Sequence, residues 1–242
     1  MFDLLGYSTA SQSPIFQKKA TVVATCSRAP YEGSRYTRVH MVVDVDFGGD
    51  QRLMRMDANA RDLVAVPLML PGEGCQIGAL SFTNDNFYPK EFVPLWPNLR
   101  RVAEGASLDA ITMEALIVRK VETSFRSAGY SKSVVHFRVE LLCADGSTQS
   151  AFFDLQPDQC RDEMDLLPGS SQKELRPDEC ADAILVPAGQ KVKITFTDFH
   201  NQPGRLCVKR FSFDWASFRK EQLAQRSQDE RSFVERAVKR AV

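Results

Sequence analysis

Short β-branched and alternating runs, punctuated by glycine and aspartate turns, fill the first part of the chain. Thr21–Cys26 (TVVATC) is a β-branched run and predicts a strand. Val39–Phe47 (VHMVVDVDF) alternates in part and predicts a second. Gly48-Gly49-Asp50 supplies a turn, after which Arg52–Met56 pairs back as a third. Ala58–Leu63 reads as the start of a short helix, which Pro67 would interrupt. Gly72-Glu73-Gly74 marks another turn, followed by strands over Gln76–Thr83 and around Phe87–Val93.

The pattern then recurs. Strands are predicted over Thr112–Val121, Val134–Cys143 and Thr148–Leu155, with Asp145-Gly146 as a hairpin turn. Gln159–Leu166 reads as a short helix, and Lys191–Phe199 and Leu206–Phe213 as the last strands, separated by Asn201-Gln202-Pro203-Gly204. Local matches run in the same order. Gly33–Val45 resembles Gly129–Leu141, and Leu53–Asp57 answers to Phe152–Leu155. Arg61-Asp62 answers to Arg161-Asp162. Val64–Pro67 followed by Gly72–Ile77 answers to Ile184–Pro187 followed by Gly189–Ile194. Such ordered self-similarity indicates a duplicated domain. The second copy carries an extra polar stretch, about residues 164–182 with Pro168-Gly169-Ser170-Ser171, which reads as an inserted loop. The joint lies near Pro97–Asp109. Ala216–Val242 has no glycine or proline and many helix formers, with Asp214 or Ser217 available as a cap.

Three strands, a helix or loop, then a hairpin, twice over, is the element order of the OB-fold, a small five-stranded Greek-key barrel. The expected class is therefore all-β with minor α: two tandem OB-like barrels plus a C-terminal helix. The expected divisions are an arm over 1–18, a first barrel over 19–98, a second over 106–215 and a helical segment over 216–242. A pair of small β-sandwiches has nearly the same strand count.

Composition changes this picture little. The chain has 242 residues, 43% hydrophobic and 26% charged, with 31 basic and 31 acidic residues and a net charge of zero. Those values are ordinary for a globular protein. No apolar run approaches the roughly 18 residues that span a bilayer, and the start MFDLLGYSTASQSPIFQKK is unlike a secretory signal. A cytoplasmic protein without a membrane partner is expected. Cys26, Cys75, Cys143, Cys160, Cys180 and Cys207 are scattered without a CxxC pair, so free thiols are expected.

Candidate chemistry is sparse. His40 and His136 occupy equivalent places in the two copies, which reads as a similar environment kept in both, and His200 sits in a turn-like loop. No cysteine or histidine stands at zinc-ligand spacing beside them. Asp44 and Asp46 share a strand face and read as solvated residues. The chain has no GxSxG, HExxH, GxxxxGK[ST] or GxGxxG. No enzyme, cofactor or metal is expected.

The informative feature is the arm between the first two strands of each copy. Ser27–Arg38 carries Arg28, Tyr31, Arg35, Tyr36 and Arg38, and Arg119–Lys132 carries Lys120, Phe125, Arg126, Tyr130 and Lys132. Interleaved aromatic and basic residues suit single-stranded nucleic acid: cations track phosphates and rings stack on bases at about 1–3 kcal/mol each. The second pair of loops, Asn84–Lys90 and His200–Arg205, adds Arg205, and Arg52, Arg55, Lys191, Lys193, Lys209 and Arg210 extend the groove. On these features the chain resembles a tandem OB-fold single-stranded DNA-binding protein, of a phage, plasmid or other mobile element. It departs from the bacterial members, which end in a glycine-rich tail with an acidic tip, because Arg231–Val242 is basic and helix-forming. That segment is expected to mediate self-association or to dock on a protein partner. The competing expectation is a structural or adaptor protein with an apolar patch at Phe87, Tyr88, Phe92, Trp96 or the C-terminal helix.

Overall fold

Alternation builds the first sheet. In β2 (Arg38–Asp46), Val39, Met41, Val43 and Val45 are buried, and the residues between them reach the opposite face. This strand lies between β1 (Phe16–Arg28) and β3 (Gln51–Asn59). β4 (Gly74–Ala79), β5 (Asn86–Phe87) and β6 (Glu91–Pro94) complete a six-stranded sheet of order β5-β3-β2-β1-β4-β6. The second sheet holds β7 (Ile111–Ser127), β8 (Tyr130–Leu142), β9 (Thr148–Leu155), β10 (Lys191–Asp198) and β11 (Leu206–Ser212), in the order β11-β10-β7-β8-β9. These elements come from a computed structural model. It describes residues 15–28, 37–60, 62–83, 85–101, 109–127, 130–155, 177–198, 202–226 and 228, without the side chains of 28, 125–127, 130–132 and 177–178.

The repeat persists in the ladders. β3-β2-β1-β4-β6 and β9-β8-β7-β10-β11 are the same order. The first strand of each unit has a bulge at the same place, between Val22 and Ala24 and between Ile117 and Arg119. Each leaves one exposed valine unpaired, Val23 and Val118. A bulge bends its strand and increases the local twist. Gly72 and Gly189, at φ +88° and +86°, turn the chain so that their N–H groups donate to Val22 and Ile117 carbonyls at 2.8 and 2.7 Å.

Several expectations are corrected. Neither sheet closes into a barrel. Among the described residues the outer strands meet at a two-residue parallel pairing, Arg55–Asn86 and Met56–Phe87, and at one parallel bridge, Phe152–Arg205. In the first unit Pro89, which has no N–H to donate, falls between β5 and β6, so the predicted strand over Phe87–Val93 is split. The described residues of Ala58–Leu63 form no helix. β3 runs on to Asn59, and a single 3-10 turn follows at Val66–Leu68 with Pro67 inside it. The stretch taken as an inserted loop ends in a helix, α1 (Pro177–Leu185); Gln159–Leu166 lies outside the described residues. The arm Arg119–Lys132 is not a loop but the distal part of the β7–β8 hairpin. Cys180 is disulfide-bonded, while Cys26, Cys75, Cys143 and Cys207 are free. Its scattered spacing gave no signal of pairing, and the thiol argument for a reducing compartment lapses. Among the described residues no helix is long and apolar enough to cross a membrane.

Each sheet has its own core. The first is covered by the connector 60–69, where Ala60, Val64, Ala65, Val66, Leu68 and Met69 are buried. The second is covered by α1, through Cys180 and Ala183. The second sheet's other face then docks on the first unit. Phe152 joins the first core and meets Trp96 edge-to-face at 5.9 Å. Arg138 pairs with Glu73 and lies 4.1 Å from the Trp96 ring centroid. Burial pushes the Glu73 carboxyl up, but hydrogen bonds from Arg138, the Leu70 N–H and Trp96 outweigh it and hold it below its ordinary value. After Trp96 the chain adds itself to the edge of β9: Ser150 N–H donates to Asn98 O at 2.9 Å and Arg100 N–H to Ser150 O at 2.8 Å. Arg100 then forks onto both Asp198 oxygens at 3.0 and 3.2 Å. Gly204, at φ +78°, adopts a backbone conformation that favours glycine, and a Cβ there would stand 2.4 Å from Leu99 Cδ1, so that side chain would have to give way.

Residues 215–226 form a helix. Asp214 caps it, accepting from the Ser217 N–H at 3.0 Å and the Ser217 hydroxyl at 2.7 Å. Phe213, Trp215 and Phe218 pack together, and Trp215 Nε1 donates to Asp182 at 3.0 Å. Residues 219–226 are exposed.

Candidate nucleic-acid interface

The two arms meet at one point of the molecule. Thr37, near the end of the first arm, and Ser124, within the second, are bonded to each other. Thr37 N–H donates to Ser124 O at 2.8 Å, Ser124 N–H to Thr37 Oγ1 at 2.8 Å, and Thr37 Oγ1 to Ser124 O at 2.6 Å. Tyr36 and Phe125 therefore adjoin a shared junction in the chain. Tyr31, Arg35 and Tyr36 lie outside the described residues. So do the side chains of Arg28, Phe125, Arg126, Tyr130 and Lys132.

Beside this junction two clefts flank one exposed tyrosine. The first, about 460 Å³, lies on the outer face of β1–β3 and is lined by Cys26, His40, Val42, Arg55, Asp57 and Asn86 among others. The second, about 490 Å³, lies between the units and is lined by Asn59, Asp62, Pro89, Lys90, Phe92, Gln202 and others. Both loops expected to bind thus contribute to it, one from each unit. Tyr88 falls between Asn86 of the first cleft and Pro89 of the second. It is 61% exposed, and the Arg38 guanidinium stands 6.0 Å from its ring centroid. Arg38 in turn is the ladder partner of Asn59.

The charge is mixed rather than uniformly basic. On the first cleft Arg55 is accompanied by Asp57, which pairs with His40. Asp44, expected to be solvated, is half-buried on the same face, and Asp46 accepts the Gly48 and Gly49 N–H groups at 2.8 Å each. Those bonds hold the Asp46 carboxyl below its ordinary value.

The remaining predicted residues divide. Lys191, Lys193 and Arg210 are exposed on β10 and β11, and Lys209 is half-buried at the bulge there. Arg52 is at the far hairpin turn, paired with Asp50 and set 5.1 Å from the Phe47 centroid. Lys120 is turned inward, donating to the Ile184 and Val186 carbonyls at 2.6 and 2.9 Å at the end of α1. Arg205 is bound to Asp154 at 3.1 Å and to Gln202 at 2.9 Å. Phe87 and Trp96, named for an apolar surface patch, are buried in the core, and Phe92 is half-buried; their apolar character served packing. His200 lies outside the described residues. Tyr88, Asn59 and Lys90 were not among the predicted site residues. The signal for them was their place in or beside the loops between strands of the first unit.

No family model and no curated protein matches the sequence. Among solved structures, the single-stranded DNA binding protein from Thermus aquaticus is 12% identical, covering 83% of this chain and 93% of that one, with a TM-score of 0.27. The Ifi202 HINa domain in complex with 20bp dsDNA is 10% identical, covering 79% and 90%, with a TM-score of 0.26. Likenesses at these scores carry no argument about this chain.

Proposed function

We propose that the protein binds single-stranded nucleic acid, single-stranded DNA above all, as a passive, non-catalytic binder. The observation that supports this is the Thr37–Ser124 junction, which sets the roots of both aromatic-basic arms side by side. A strand would pass the arms, stack on Tyr88 beside Arg38 and cross the two clefts. The cationic partners are few and interspersed with carboxylates, so stacking carries more of the affinity here than phosphate contacts do. Fluorescence anisotropy with a labelled oligonucleotide at low and moderate salt tests the reading. Binding should weaken with salt as counterions are released. Absence of binding at low salt sinks it. Binding that is unchanged by Tyr36→Ala combined with Tyr130→Ala rules out stacking by the arms.

A second role is supported by the helix over residues 215–226, whose first turn packs through Trp215 and Phe218 and whose residues 219–226 are exposed. We assign it to self-association or a protein partner. Light scattering of the full chain against one truncated after Arg219 checks the first.

A further inference from the structure

Cys26, His40 and Asp57 are direct ladder neighbours on β1, β2 and β3, and all three line the first cleft. His40 Nδ1 is bound to Asp57 Oδ1, which fixes the ring, and among the described residues Nε2 has no protein partner. Directly opposed residues place their Cβ atoms about 5 Å apart. The Cys26 Sγ lies 3.9 Å from the Ser27 carbonyl oxygen, and rotation about χ1 is the movement by which the thiol would approach the imidazole. Nucleophile, base and orienting carboxylate thus stand in one row on a solvent-open face.

The other thiols lack this setting. Cys75 is buried, and burial pushes its thiol up to about 12. Cys143 and Cys207 are half-buried, and the ladder partner of Cys207 is Thr197 rather than a histidine. In the second unit the same row reads Val121, His136, Asp154, with no nucleophile.

We propose that Cys26 is a base-assisted nucleophilic thiol, oxidised by hydroperoxides, with His40 as the base and Asp57 as the residue that positions it. His40 Nε2 takes the thiol proton, and the sulfur attacks one peroxide oxygen. The S–O bond forms as the O–O bond breaks. The departing hydroxide, or the alkoxide of an organic hydroperoxide, takes the proton from His40 and leaves as water or the alcohol. The sulfur ends as a sulfenic acid and the peroxide is reduced. The product enlarges and polarises the wall of the first cleft, so oxidation should weaken the binding of a strand there; this regulatory part rests on the nucleic-acid reading above.

The full chain is treated with hydrogen peroxide, sulfenic acid is trapped with a dione reagent, and each cysteine peptide is quantified. Cys26 should react fastest, and His40→Gln should slow it about tenfold or more. Asp57→Asn should slow it less and shift the pH profile of the rate, and Asp57→Glu should restore it. Protection of Cys75 reports that each variant is folded. If His40→Gln unmasks Cys75, Asp57→Asn decides in its place. The proposal is overturned if Cys26 reacts no faster than Cys143 or Cys207, or if a folded His40→Gln protein reacts at the original rate. A protein with a reactive Cys26 that never binds an oligonucleotide refutes the nucleic-acid reading and leaves the thiol site standing. An inert Cys26 in a protein that does bind does the reverse.

Discussion

One row of three residues behaves differently in the two units. His40 and His136 sit at the same ladder position, each opposite an aspartate on the third strand, Asp57 and Asp154. The side chain of His40 is 37% exposed and bound to its aspartate, whereas His136 is fully buried, its Nε2 2.8 Å from Thr123 Oγ1. Asp154 has turned to Arg205 instead. The similar environment expected for the two histidines is therefore wrong, because the first unit's connector lies over the second unit's sheet face. Duplication preserved the strands, the bulges and the Gly72 and Gly189 turns. Docking decided which copy of the face stays open to a ligand. The open copy is the first unit's, and there the cleft, Tyr88 and Cys26 are found.

The strongest way to break this asymmetry is to loosen the docking. Trp96 is 4% exposed, packs on Phe152 and carries the Arg138 guanidinium on its ring. Trp96→Ala should cost about 4 kcal/mol from the lost packing and the cavity left behind. It also removes one of the donors to Glu73. Urea unfolding followed by circular dichroism reads this directly. A loss under about 1 kcal/mol would mean the units do not depend on this contact.

His136 supplies the next effect. Burial lowers its pKa to about 4 from 6.5; the neighbouring Asp154 carboxylate and the Val64 backbone oppose that shift without cancelling it, and Arg205 adds to it. In the unfolded chain the ring binds its proton near its ordinary value, so acid favours unfolding. The contribution is fully present above pH 6.5, falls as the pH drops from about 6.5 to about 4, and is flat below that. A displacement of this size is worth on the order of 3 kcal/mol across the window. Unfolding free energies at pH 7.5 and 4.5 should show it, and His136→Gln should reduce the difference. An unchanged difference would place the acid sensitivity elsewhere, with Glu73 as the next group to examine. Its lowered pKa confers stability that is lost as the pH falls through the folded value.

What could be read in advance follows from this contrast. Residues whose role is local were legible. The alternation of β2, the turns at Gly48-Gly49 and Gly72, and the match of Gly72–Ile77 to Gly189–Ile194 all depend on near neighbours. Asp214 as a cap is of the same kind. Residues whose role depends on docking were not. Trp96, Arg138, Arg100 and Glu73 look like ordinary surface residues in sequence, because their partners lie 23 to 98 positions away. Lys120 and Arg205 mimic phosphate-binding residues by composition and are taken up by α1 and Asp154. The Cys26–His40–Asp57 row was invisible because three strands must be in register before the residues meet.

The smaller predictions ask whether the open face is where a strand lies. Tyr88 is exposed, so Tyr88→Ala should leave stability within about 0.5 kcal/mol. It should weaken oligonucleotide binding by about 1–3 kcal/mol, roughly 5- to 150-fold. Equal affinity in anisotropy titrations would remove Tyr88 from the interface. Lys193 makes the finest test, because it belongs to the second unit, on the part of its sheet left exposed beside Arg210 and opposite Glu114. If the strand continues across that unit, Lys193→Ala should lower the magnitude of the log–log salt slope by about 0.7, the share of one phosphate contact on single-stranded nucleic acid. If the slope does not change while Tyr88→Ala weakens binding, the second unit serves the site only by holding its arm at the Ser124 junction, and the difference between the two units is then complete.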